Sequence, residues 1–127
     1  EEAYAKIAQE LGMQTLKLGY MPEEMYFQSV VIEDGYGKLQ YKYKDNQVSF
    51  IQAKANASTS MVHSSDTNAM YQVRNPELRI IFEIYGEAIG ESRMRYETCF
   101  TYKGVYYHLF GELPKKEFEE MLKKIHL

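Results

Sequence analysis

Apolar residues recur along this chain with two different periods, and the switch between them marks a β-rich middle flanked by a helix at each end. In EEAYAKIAQELG (1–12), Ala3, Ile7 and Leu11, with Tyr4 and Ala8 beside them, form one stripe at spacings of three and four, which predicts a short helix. Glu1 and Glu2 suit the positive end of its dipole, and Gly12 supplies a stop. At the other end, PKKEFEEMLKKIHL places Phe118, Met121, Leu122 and Ile125 at i, i+3, i+4 and i+7. Pro114 fits the first turn of this second helix, and Lys123 and Lys124 complement its C-terminal end. So narrow an apolar face must lie on a sheet.

Between the helices the period is two. MQTLKLGY (13–20) alternates Leu16 and Leu18 with Thr15 and Lys17 and opens the β region; MYFQSVVIE (25–33) follows, closed by the turn residues Asp34-Gly35-Tyr36-Gly37. KLQYKYK sets Leu39, Tyr41 and Tyr43 on one face and four polar residues on the other. Asp45-Asn46 makes the next turn, into QVSFIQAKA. Later, Leu78, Ile80, Phe82 and Ile84 alternate up to a turn at Gly86, and SRMRYETCFTY puts Met94, Tyr96, Thr98, Phe100 and Tyr102 in one row. Lys103-Gly104 then turns tightly into VYYHLFGEL, a terminal hairpin. The expectation is an α+β fold in one domain spanning 1–127. It consists of an antiparallel meander of about six to seven strands with one wet face, packed by an N-terminal and a C-terminal helix.

Two stretches break the pattern. Within LKLGYMPEEMYFQSVVIED, Pro22 cannot donate to a ladder and biases Met21 toward extended backbone, so it ends one strand; Glu23 and Glu24 keep the bend wet, and Tyr26 and Phe27 begin the next strand on opposite faces. This is a strand–bend–strand connector. From Asn56 to Pro76 the chain is polar and without period, too long for an ordinary loop, so it is functional, mobile or hides a short element; Asp66–Met70 is a candidate helical turn.

Composition narrows the function classes. The chain has 127 residues, 45% hydrophobic and 26% charged, which is ordinary for a globular domain needing no disulfide or metal staple. A net charge of −3 with interspersed signs and no basic stripe argues against nucleic acid as partner. Twelve tyrosines and no tryptophan fit half-buried sheet positions with the ring packed and the hydroxyl wet. The single cysteine, Cys99, excludes an intrachain disulfide but leaves the compartment open. The start at Glu1 fits removal of a preceding signal or membrane anchor.

Candidate chemistry is sparse. His63-Ser64-Ser65-Asp66 holds the residue types of a hydrolase triad, but real triads are assembled from distant segments and need an oxyanion hole. His63, His108 and His126 show no zinc-ligand spacing, and His108 faces opposite Tyr107 and Leu109 on its strand. Cys99 is expected to be an inert buried thiol. No phosphate-binding glycine pattern follows a strand, so no cofactor is implied.

The order of elements carries a resemblance. "AQELGM", "GYMPEEMYFQSVVIED", "GKLQYKYKDNQVSFIQAK" and "FTYKGVYYHLFGELPKKEFEEMLKKI" together resemble an uncharacterised domain-of-unknown-function family of Gram-positive bacteria. In that family the domain lies outside the membrane after a single spanning segment, sometimes in anti-sigma-factor-like proteins. Tyr20, Pro22, Glu23 and Tyr26 match its "P-x-Y-x-P-E-G-Y" step, and Gly104, Tyr107, Leu109 and Gly111 match its aromatic hairpin. Gly19 stands where an early proline is frequent, and Glu24-Met25 replaces Glu-Gly. The resemblance implies a non-catalytic, extracytoplasmic, membrane-anchored sensor or interaction domain whose partner is a protein or an envelope component, with the tether upstream of Glu1.

The alternative is a secreted or lipid-anchored module that binds a small molecule or lipid on its tyrosine-lined sheet; a hydrolase centred on the 56–76 loop is a third. The residues expected to form a contact surface are His63, Asp66 and Tyr71 on or beside the loop, and Tyr41, Tyr43 and Tyr107 on the strands.

Overall fold

The computed structural model describes residues 2–12, 15–33, 35–54, 71–90 and 93–127. Helix α1 (Glu2–Leu11) is followed by strands β1 (Met25–Glu33), β2 (Tyr36–Tyr43), β3 (Asn46–Lys54), β4 (Tyr71–Asn75), β5 (Ile80–Ala88), β6 (Met94–Tyr102) and β7 (Val105–Glu112), and helix α2 (Lys115–Lys123) closes the chain. All seven strands join one antiparallel sheet in the order β1-β2-β3-β7-β6-β5-β4, an α+β arrangement as the sequence predicts. Two meanders, β1–β3 and β4–β7, thus meet where the last strand pairs with β3. β3 and β4 therefore run in the same direction, four strand spacings or about 19 Å apart across the sheet.

Both helices lie on one face. The row Leu39–Phe50–Leu109–Thr98 runs across β2, β3, β7 and β6 beneath them, and Tyr41–Val48–Gly111–Tyr96 forms the next. Tyr4, Ile7 and Leu11 of α1 are buried against this face, as are Phe118, Met121 and Leu122 of α2 and Ile125 just beyond it. Full burial of each such side chain contributes about 1.5–3 kcal/mol. Two buried polar side chains on these strands donate to backbone carbonyls: Thr98 Oγ1 to Glu83 O at 2.9 Å, and Gln52 Nε2 to Leu16 O at 3.1 Å, while Gln52 Oε1 is buried without a partner among the described residues.

Several details differ from the pattern-based expectation. Residues 15–20 do not form a strand. Their backbone is claimed one group at a time: Lys17 pairs with His126 in an isolated bridge, Leu18 N donates to Tyr4 Oη at 3.0 Å, and Gln52 takes Leu16 O. Tertiary partners here satisfy what a neighbouring strand would otherwise supply. The seventh strand is instead β4, inside the stretch expected to be a loop. The candidate turn at Asp66–Met70 lies outside the described residues. β5 continues through Gly86, which pairs with Tyr96 rather than turning. The β2–β3 turn is Lys44-Asp45, one residue earlier than expected, with Lys44 at φ 55°. Pro114 is the N-cap of α2, just outside the helix.

The β6–β7 turn matches its expectation, with Lys103 at φ 50° and Gly104 at φ 80°. A lysine with positive φ is strained where asparagine is tolerated. Lys103→Asn is therefore expected to raise stability by about 0.5 kcal/mol net of the lost Lys103–Tyr102 ring contact, read as a higher denaturation midpoint.

Candidate functional site

The tyrosines expected to face a ligand belong to the core. Tyr41, Tyr43 and Tyr107 are buried on the helix-covered face. Phe50 and Phe100 stack on the Tyr107 ring at 5.9 and 5.1 Å, and burial pushes its hydroxyl up to about 12. The tyrosine row is thus packed, and the alternation read from sequence marks its inner side. Tyr71 is half-buried at the edge strand β4, its ring beneath Lys115 Nζ at 4.4 Å and edge-on to Tyr96; burial, then the nearby Glu119, holds its hydroxyl well above the usual range. His63 and Asp66 lie outside the described residues.

Two regions remain open. The first is the β1 edge. Among the described residues β1 pairs only with β2, through a register shift between Phe27 and Ser29. Met21, Tyr26 and Phe27 are 43, 56 and 45% exposed there, half of the six large apolar side chains that stand exposed among the described residues. Beside Met21 and Phe27 a cavity of about 430 Å³ is lined mainly by Ala3, Tyr4, Leu18, Met21, Phe27 and Tyr41, while Tyr26, opposite Lys42, faces the other side of the sheet. Tyr41 is its floor: Phe27 packs edge-on against the Tyr41 ring at 5.6 Å, and the Tyr4 and Tyr41 hydroxyls are 3.1 Å apart. Two sequence-predicted tyrosines therefore border cavities: Tyr41 here, and Tyr43 in one of about 390 Å³ beside Arg93, Tyr96 and Lys115.

Why the edge is shaped this way follows from the Tyr-Met-Pro-Glu step. Met25 N donates to Pro22 O at 3.0 Å, closing a turn whose two glutamates are exposed, as expected. Pro22 itself is buried, and Tyr20 Oη donates to Glu117 Oε1 at 2.6 Å on α2. The connector is clamped to the helical layer, and Tyr26 and Phe27, just after the buried Met25, are left projecting.

The second region is the face opposite the helices. There Glu97 and Cys99 on β6 meet His108 on β7: Cys99 and His108 are direct cross-strand partners, and Glu97 lies two residues along the same face. His108 Nε2 is 2.9 Å from Glu97 Oε2, and Phe110 packs beside the imidazole at a ring separation of 4.6 Å. Burial raises the Cys99 thiol, while a hydrogen bond from Tyr106 pulls the other way. Cys99 also borders a cavity of about 350 Å³ with Gln72, Ile81, Glu83 and Tyr85.

This trio was missed by reading along the chain, because no two of its ligand-type residues have metal-site spacing within one segment. The hairpin held the signal. From Tyr102 opposite Val105, three steps outward on each strand bring Cys99 opposite His108.

No curated protein and no solved structure matches this sequence significantly. A family profile does match, over residues 15–125, which takes in the Tyr-Met-Pro-Glu step, the whole sheet and all of α2. On that match the chain belongs to the family described as Domain of unknown function (DUF4367).

Proposed function

We propose that this chain is a non-catalytic interaction domain whose β1 edge receives an extended, apolar segment of a partner protein. The observation that carries the reading is the projection of Met21 and Phe27 beside an apolar cavity, with Tyr26 exposed on the other face, at a strand edge pairing on one side only among the described residues. An added strand would take up the free backbone groups of β1, and its alternate side chains would enter the cavity. Exposed clusters of large apolar residues at one edge are characteristic of such sites. Described charges support a structural use of ionisable groups: Arg93 pairs with Glu112 and Arg95 with Glu87 at the surface.

The resemblance of the Tyr20–Tyr26 step and the terminal hairpin to membrane-tethered domains of Gram-positive bacteria supports an extracytoplasmic placement, with the tether in a preceding segment. No helix of the described chain is long and apolar enough to cross a membrane. An anti-sigma-factor-like signalling role is the finer form of the same reading.

The test is photo-crosslinking from position 26 in the intact gene product in cells, with position 79, exposed at the β4–β5 turn, as control. A discrete adduct from position 26 alone is expected. The double variant Tyr26→Ser/Phe27→Ser should abolish it while changing stability by only about 0.5 kcal/mol or less for each exposed site. Equal labelling from both positions, or none, removes the reading. Loss of a C-terminal epitope when unlysed cells are treated with protease tests the placement.

A second reading, a small-molecule or lipid carrier, draws on the volume of the same cavity, which falls in the range of ligand pockets. A rise in melting temperature with one fatty acid or detergent, blocked by Ala3→Trp, would favour it.

A further inference from the structure

We infer that Glu97, Cys99 and His108 form a binding site for a single divalent cation of borderline softness, Zn²⁺ in the first instance, on the face of the sheet opposite the helices. The Sγ of Cys99, a ring nitrogen of His108 and a carboxylate oxygen of Glu97 all lie within 4.8 Å of one another. Tetrahedral zinc with Cys, His and Glu ligands needs donor atoms about 3.4–3.6 Å apart, from the usual bond lengths. The His108–Glu97 spacing of 2.9 Å is shorter than that value, and all three donor atoms lie within 4.8 Å. Rotations moving the donor atoms by about an ångström complete the triangle. Among the described residues no other group of three such side chains converges in this way.

The donor set selects the ion. One thiolate, one imidazole and one carboxylate are the ligand types of zinc sites, whereas Mg²⁺ and Ca²⁺ prefer oxygen alone. Two ligands come from adjacent strands in direct register and the third from the same strand two residues away, so the sheet backbone preorganises all three. The Tyr106 hydroxyl at Cys99 and the Phe110 ring against His108 supply the surrounding shell that orients ligands. Three protein ligands leave a fourth position, and Cys99 borders the 350 Å³ cavity from which water or a partner's ligand would approach. Binding displaces the Cys99 thiol proton to solvent, and the proton shared by His108 Nε2 and Glu97 moves to Nδ1 of a neutral imidazole or to solvent from a protonated one; metal–ligand bonds take their place, and no redox change is involved.

A structural role offers the competing account: the Glu97–His108 and Cys99–Tyr106 hydrogen bonds would simply close this face. Cobalt separates the two. Tag-free protein is titrated with Co²⁺ under reducing, anaerobic conditions. One equivalent is expected to give a near-ultraviolet thiolate-to-cobalt band and intense tetrahedral bands in the visible, both displaced by Zn²⁺. Cys99→Ser should abolish the near-ultraviolet band, and His108→Gln and Glu97→Gln should each weaken Zn²⁺ binding at least ten-fold. The three substitutions lie on the open face, and circular dichroism of each variant checks that it folds. Absence of a thiolate band in folded wild-type protein, or equal Zn²⁺ affinity in all three variants, overturns the assignment.

Discussion

Replacing Asn75 by alanine should cost about 3 kcal/mol, a large share of the 5–15 kcal/mol that holds a domain of this size together. Asn75 ends β4 and is fully buried. Its Nδ2 donates to the carbonyls of Leu122 at 2.8 Å and Ile125 at 3.0 Å, and its Oδ1 accepts from Leu78 N at 2.9 Å. One side chain thus ties the C-terminal end of α2 and the turn after β4 to the sheet edge. Carbonyls at a helix end lack intrahelical partners, and here they are buried away from water that would otherwise serve them. Removing the amide orphans groups at about 1–3 kcal/mol each, softened because Leu122 O also accepts from Ile125 N.

Asn75→Asp is the sharper test, since the shape is kept and only the donor is lost. At neutral pH a carboxylate would face two carbonyl oxygens in a buried site, so its folded-state pKa must rise above the unfolded value of about 3.9. Between those two values the native state binds more protons than the unfolded state, and stability falls as pH rises. The variant should therefore be less stable than Asn75→Ala at pH 7 and recover toward it as the pH falls to about 4. Denaturant midpoints across that range measure this. Wild-type stability of Asn75→Asp at pH 7 would mean that the two carbonyls have other partners.

Gly111→Ala is expected to be the next most damaging change. A Cβ at this position would lie 2.8 Å from Val48 Cγ2, 2.9 Å from Val48 Cα and 3.0 Å from Val48 Cβ. Val48 and Gly111 are cross-strand partners in the β3–β7 pair that joins the two meanders. The backbone of a central strand cannot step aside as a side-chain tip can, so the overpacking cost of about 1–3 kcal/mol should fall at its upper end. The loss of unfolded-state freedom returns only about 0.4–1 kcal/mol. Gly37→Ala is the internal control. Its Cβ would meet Ile7 Cγ1 at 2.8 Å and Cδ1 at 2.9 Å, atoms near the end of one flexible side chain of α1. Rotation of Ile7 relieves most of that contact, leaving a loss of about 1 kcal/mol or less. Melting temperatures should rank wild type, Gly37→Ala and Gly111→Ala in descending order. Equal losses would show that the β3–β7 spacing relaxes and that the close approach there is not a constraint.

Both sites stand where local pattern gave little guidance. An asparagine between Arg74 and Pro76 has the look of a turn residue, and its buried role depends on carbonyls 47 and 50 positions away. Gly111 occurs in a hairpin motif, yet its constraint comes from β3 rather than from the hairpin turn. The tyrosines show the converse. Alternation placed Tyr41 and Tyr43 together on one face of their strand and Tyr107 opposite His108 on its own, but period alone does not say that the three share a side or which side the helices cover.

The local elements were legible from the sequence by itself. The two amphipathic helices, the strands from 25 to 54 and the β6–β7 hairpin follow from apolar period and turn chemistry, which act within a few residues. Tertiary structure alone decided that β7 pairs with β3 and that 15–20 is shared out among Tyr4, Gln52 and His126 instead of forming a strand. It alone decided that Met21, Tyr26 and Phe27 project at one edge and that Glu97, Cys99 and His108 converge on the open face. The physical reason is common to all of these. Each depends on contacts between residues whose proximity is created by strand order and register, and those are set by how two helices and seven strands bury their apolar faces together.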